Sequence, residues 1–115
     1  MVNHVVKCSR LDHRLHAIAD PTRREILERL SHGPASVTEL AAPLSMSMPG
    51  LLKHVRILED AELVRTEKRG RTRECRLGAA SLDDVAGWVE QQRSRWEGRL
   101  DRLESYLTEQ KEGTP

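Results

Sequence analysis

Six cations in the middle of the 115-residue chain stand where they could act together. Lys53 and Arg56 lie three apart in "SMPGLLKHVRILED", about one helical turn, and Lys68, Arg69, Arg71 and Arg73 crowd around Gly70 in "EKRGRTRE". Such groups bind anions. Lysine offers a mobile point charge, and arginine offers a planar fork that fits a phosphate or the edge of a guanine. Four like charges so close repel one another unless an anion is near, so the second cluster reads as a surface for a polyanion rather than a solubilising turn. The net charge is only +1, but it is unevenly spread. Residues 1–44 carry six Lys/Arg and five Asp/Glu, residues 45–78 eight and five, and residues 79–115 five and eight. A basic middle and an acidic end allow one face to meet nucleic acid.

Other chemistries find little support. His54 and Ser47 are seven positions apart on one helix, too far for a nucleophile and its base, and there is no Gly-rich phosphate loop or paired-carboxylate cleft. The chain reads as a non-enzyme. Cys8 and Cys75 have no CxxC spacing, which argues against a disulfide framework or a thiolate metal site. Cys75 alternates with Leu77 on a predicted strand and should face inward as an inert thiol. His4, Cys8, His13 and His16 have no tetrahedral-site spacing, so no metal and no cofactor is expected. No apolar run approaches membrane-spanning length, and "MVNHVVKCSRLDHR" has charges where a signal peptide needs apolar residues. These features predict a cytoplasmic protein without a membrane partner.

The elements that would position the cations follow from spacing and caps. Leu11, Leu15 and Ile18 mark a first helix ending near Ala19. Asp20 and Pro21 form a good helix start, and Gly33 and Pro34 stop that second helix, whose stripe is Ile26, Leu27 and Leu30. Ser36 and Glu39 have capping-box spacing, and Pro43 should end or distort the third helix near Ala42. Ser47 can cap a fourth helix running to about Asp60, with Leu51, Val55 and Leu58 as its buried stripe. Pro49, Lys53, Arg56 and Asp60 then lie on the outer arc, with Met48 and Leu52 at its margin. "LVRTEKRGRTRECRLG" predicts a two-stranded hairpin turning at Gly70. From Ser81, Leu82, Val85, Val89, Trp96, Leu100, Leu103 and Leu107 recur at steps of three and four, broken only by Gln92, in a helix near 30 residues long.

A short helix, a sharp break and a second helix with a basic outer arc is the geometry that holds a recognition helix in the major groove. Met48, Pro49 and Leu52 could meet thymine methyl groups, while Lys53 could donate to guanine O6 or N7 and Arg56 to a base or phosphate. Ser45 and Ser47 are placed for phosphate contacts, His54 either packs at the helix edge or touches a phosphate, and Gly50 allows close backbone approach. Lys68, Arg69, Arg71 and Arg73 would neutralise phosphates or enter a minor groove.

In order and spacing, "IADPTRREILERL", "LSMSMPGLLKHVRILEDAELV" and "GRTRECRL" resemble the winged helix-turn-helix of the arsenic-repressor-like (ArsR) family of bacterial transcriptional regulators, over roughly residues 10–107. The resemblance implies a mainly α fold with a two-stranded wing, a recognition helix at 47–60, a wing at 65–76 and a homodimeric repressor of double-stranded DNA. On this reading 10–80 is the DNA-binding core of a single domain, 81–109 its long C-terminal dimerisation helix, and 110–115 a tail. The dimer interface would draw on Leu11, Leu15 and Ile18 of the first helix and Val85, Trp88, Val89, Trp96, Leu100 and Leu103 of the last. Metal-sensing members open the third helix with a Cys-Val-Cys run, where this chain has Ser36, Val37 and Thr38. Hydroxyls do not replace thiolates for a soft metal, so the chain resembles the subgroup without metal sites. Two other readings share much of this pattern: a regulator with an effector pocket at the dimer helices, and a dimeric interaction module that does not bind DNA. The second leaves the basic wing unexplained.

Overall fold

The computed structural model describes residues 9–79 and 82–112. By its contacts the chain divides into two compact units, one running through Leu82 and one from Asp83 onward. In the first, helices α1 (Arg10–Ile18), α2 (Pro21–Leu30), α3 (Val37–Leu44) and α4 (Met48–Asp60) join strands β1 (Ala35–Ser36), β2 (Val64–Arg69) and β3 (Thr72–Leu77). The second unit is helix α5 (Asp83–Glu112).

Side chains close to each helix start set where it begins. Ser9 and Asp12 form a capping box on α1, and Ser36 and Glu39 form one on α3, each pair satisfying backbone N–H groups that the helix leaves over. The Asp20 carboxylate accepts from the Arg23 backbone N–H at 3.0 Å, a bond that holds its pKa below the ordinary carboxylate value. Ser36 thus serves as the cap of α3. Helix α3 passes the predicted break and ends at Leu44, with Pro43 inside its last turn. So near the end, proline disturbs only one turn. Ser45 then closes α3 in the left-handed conformation, φ 50°.

The end of α4 carries no glycine, yet it closes in the Schellman manner. Leu63 N–H donates to Leu58 O at 3.0 Å and Glu62 N–H to Glu59 O at 2.8 Å, with Glu62 held at φ 63°. A left-handed glutamate is disfavoured. Its carboxylate lies 3.6 Å from Arg10 and 3.7 Å from the buried Arg14, contacts that favour this placement.

The sheet has three strands in the order β1-β3-β2, all antiparallel. The predicted hairpin is thus joined by a third strand of two residues, Ala35 pairing with Cys75 and Ser36 with Glu74. Gly78 allows the chain to leave the sheet tightly. A Cβ there would lie 2.3 Å from the Glu62 carbonyl oxygen, and Gly78 N–H donates to Leu63 O at 2.8 Å. The core gathers Ile26, Leu30, Leu40, Leu51, Val55 and Leu58 around Ala17 and Cys75. Leu77 departs from the expected alternation, since it lies 44% exposed at the strand end opposite Val64.

Cys75 is fully buried, and burial pushes its thiol up to about 11. In a Cys8→Ser protein at pH 8, an aromatic disulfide reagent should label Cys75 at least roughly a hundredfold more slowly than in denaturant, because so little thiolate forms. Equal rates would show that the strand opens readily. Cys8 itself, with His4, lies outside the described residues.

Candidate nucleic-acid interface

Helix α4 separates its two sides cleanly. Leu51, Val55 and Leu58 are buried, while Pro49, Leu52, Lys53 and Arg56 are exposed. Pro49, Leu52, Lys53, Arg56 and Ile57 line one open groove along the outer side. Its mixed apolar and cationic lining suits thymine methyl groups and guanine acceptors or phosphates. Met48 contributes less than its position promises. It is half-buried and packs against the core.

At the start of α4, the Ser47 hydroxyl accepts from Gly50 N–H at 3.2 Å, which leaves its own proton for a phosphate oxygen. Gly50 serves this cap. A Cβ there would stand 3.2 Å from Ser47 Oγ and would crowd the cap. Ser45 is exposed in the break before it. His54 stands apart from this group because it sits on the flank of the buried stripe. Its ring is half-buried, with Nδ1 3.2 Å from Arg23 Nη1 and 3.9 Å from Asp20 Oδ2.

The wing closes at Gly70 and Arg71. Gly70 has φ 65°, as the first loop position of a two-residue turn of the primed type requires. Register sets Lys68 opposite Arg73 and Arg69 opposite Thr72. The repulsion expected of this cluster is relieved from within the wing. Arg69 lies 3.7 Å from Glu67 and 3.6 Å from Glu74, and Arg76 donates to Glu74 at 2.6 Å. Glu67 and Glu74 themselves face each other across the strands, a like-charge pair that Arg69 bridges. Their positions beside the cluster were visible in the sequence, but only the register shows which cations they reach. Exposed pairs of this kind are weak, so Arg69 can exchange its carboxylates for phosphate. Lys68 and Arg71 are exposed and have no carboxylate partner among the described residues. Arg73 donates to Thr66 Oγ1 at 3.4 Å, and Thr66 donates to Glu59 of α4 at 2.7 Å, which links the wing to that helix.

Two apolar surfaces remain. In α1 the buried residues are Arg14 and Ala17, while Leu11, Leu15 and Ile18, roughly a quarter turn away, are half-buried. In α5, Trp96 is 65% exposed and Leu100 63%, with Trp88, Val89 and Leu103 also exposed. Val85 is buried. Among the described residues no helix is long and apolar enough to cross a membrane, and no group of three or more metal-ligating side chains forms.

Comparison with known proteins agrees with this geometry. Residues 18–67 match a family described as a helix-turn-helix domain. The chain is 42% identical over 71 residues to the HTH-type transcriptional regulator Rv2034 of Mycobacterium tuberculosis, an alignment covering 62% of this chain and 66% of that protein. It is 33% identical over 73 residues to the transcriptional repressor SdpR of Bacillus subtilis, covering 64% of this chain and 81% of the repressor. The crystal structure of an ArsR family transcriptional regulator shares 44% identity and superimposes with a TM-score of 0.71, covering 77% of this chain and 98% of its own. Fold, outward basic helix, wing and relatives coincide, and the chain belongs to the ArsR family of winged helix-turn-helix transcriptional regulators.

Proposed function

We propose that this chain acts as a cytoplasmic homodimer that binds a pseudo-palindromic operator in double-stranded DNA and represses transcription. The observation that carries this reading is the outer groove of α4, where Lys53 and Arg56 flank Pro49, Leu52 and Ile57. Lys53 donates to guanine O6 or N7, Arg56 to a base or phosphate, and Pro49 and Leu52 meet thymine methyl groups. Ser45 and Ser47 hold phosphates at the start of the helix, and Lys68, Arg69, Arg71 and Arg73 add backbone or minor-groove contacts from the wing. Two copies meet through the exposed apolar stripe of α5 and through the half-buried Leu11, Leu15 and Ile18 of α1. The chain performs no catalysis and needs no cofactor for this work.

Selection of bound duplexes from random DNA tests the reading. The purified protein should enrich an inverted repeat whose half-sites are centred about one helical turn apart, roughly 10 base pairs, or a multiple of it. Uniform retention of all sequences, falling with salt alone, would reduce the chain to a non-specific polyanion binder.

A further inference from the structure

Two arginines in the first unit are buried, Arg14 at 8% exposure and Arg23 at 7%. Burying a guanidinium is costly unless its donors are satisfied, so their bonds show where the fold spends polar contacts. Arg23 donates from Nε to Ala17 O at 2.8 Å and from Nη2 to His16 O at 3.0 Å, both at the C-terminal end of α1. Its Nη1 meets His54 Nδ1 of α4 at 3.2 Å. A guanidinium has only donors, so His54 Nδ1 must be the acceptor and the ring proton sits on Nε2. Arg14, within α1, donates from Nε to Ala61 O, the C-cap carbonyl of α4, at 3.2 Å.

We infer that Arg14 and Arg23 are positioning residues that lock the recognition helix α4 to α1, so that the helix at the dimer surface also sets the angle at which Lys53 and Arg56 are presented. His54 and Ala61 lie seven residues apart, about 10 Å along the helix axis. One attachment would leave the angle of α4 to its apolar packing, whereas two fix its direction. Apolar packing between the helices tolerates small slides, while hydrogen bonds to charged donors are directional. The apolar stripe of α1 lies beside its buried Arg14 and Ala17, so a second copy resting on Leu11 and Leu15 would be tied through this clamp to the DNA-reading side chains. The inference rests on the function proposed above and assigns a structural origin to operator spacing.

The test uses the full chain and duplexes carrying two selected half-sites, with the spacing varied by one or two base pairs, beside a single half-site duplex. His54→Leu removes the acceptor and leaves Arg23 Nη1 without its partner. His54→Asn places an amide oxygen near the position of Nδ1 and restores an acceptor. Wild type should prefer the correct spacing by about tenfold or more over a two-base-pair error, the order expected when one recognition helix leaves its groove. His54→Leu should reduce that preference to within about threefold while single half-site affinity changes less than that, and His54→Asn should recover most of the preference. A His54→Leu protein that keeps the full spacing preference overturns the inference. So does one that loses single half-site and paired-site binding equally, or an Asn variant that behaves as Leu does. Nitrogen-15 ring shifts of His54 in the free protein read the clamp without DNA: a protonated Nδ1 would overturn it directly. Failure of wild type to select any sequence, with Nδ1 unprotonated, would place the fault in the DNA-reading proposal and would overturn the spacing role with it.

Discussion

Leu51→Ala should unfold this protein easily, and Leu52→Ala should barely disturb its stability, although the two residues are neighbours with the same side chain. Leu51 is fully buried on the inner side of α4, while Leu52 is 39% exposed on the outer groove. Truncating a buried leucine costs about 2–5 kcal/mol through lost transfer energy and the cavity left behind. A small domain has only about 5–15 kcal/mol in all, so this is a large share. Urea denaturation should therefore show a much lower midpoint for Leu51→Ala, with an unchanged slope. Leu52→Ala should stay within about 1 kcal/mol of wild type, since surface substitutions rarely cost more. Its effect should appear with DNA, as weaker preference at a base pair whose thymine methyl the leucine covers. A Leu52→Ala protein as unstable as Leu51→Ala would mean that α4 is rotated from the phase described.

The contrast rests on a helical phase that can be read from "SMSMPGLLKHVRILED" alone, because three buried positions at four- and three-residue steps leave one arc for everything else. Caps were equally legible. Asp20, Ser36 and Ser47 each act on backbone within three residues, so tertiary structure has little opportunity to override them. Features that depend on distant chain were hidden. Strand β1 is two residues long and exists only because β3 passes beside it. The turn after α4 uses Glu62 in a place where glycine would have announced it, and Arg10 and Arg14 supply the contacts that accompany the exception. A polar-outside rule places Arg14 and Arg23 in solvent, yet both are buried, because helix ends expose carbonyls that a guanidinium can serve. The same blindness applies in the wing. Counting charges finds the four cations around Gly70, but only strand register reveals that Glu67 and Glu74 already engage Arg69.

That difference in engagement makes Arg71 and Lys53 the most informative pair for the DNA-reading account. Arg71 stands exposed at the wing turn and Lys53 exposed in the groove of α4, and the account gives them different tasks. Lys53→Ala should lose about 1–3 kcal/mol per half-site on the selected operator and relax one symmetric base-pair position, with little change on random DNA. Arg71→Ala should weaken specific and random DNA alike, and should lower the slope of log affinity against log salt by roughly one to two in the dimer. The measurement that tests the central claim most directly is the base-preference profile of Lys53→Ala compared with wild type across every position of the operator. Relaxed preference confined to one symmetric position is the predicted result. A uniform loss across all sequences, matching that of Arg71→Ala, would make Lys53 a phosphate contact and contradict the claim that α4 reads base edges.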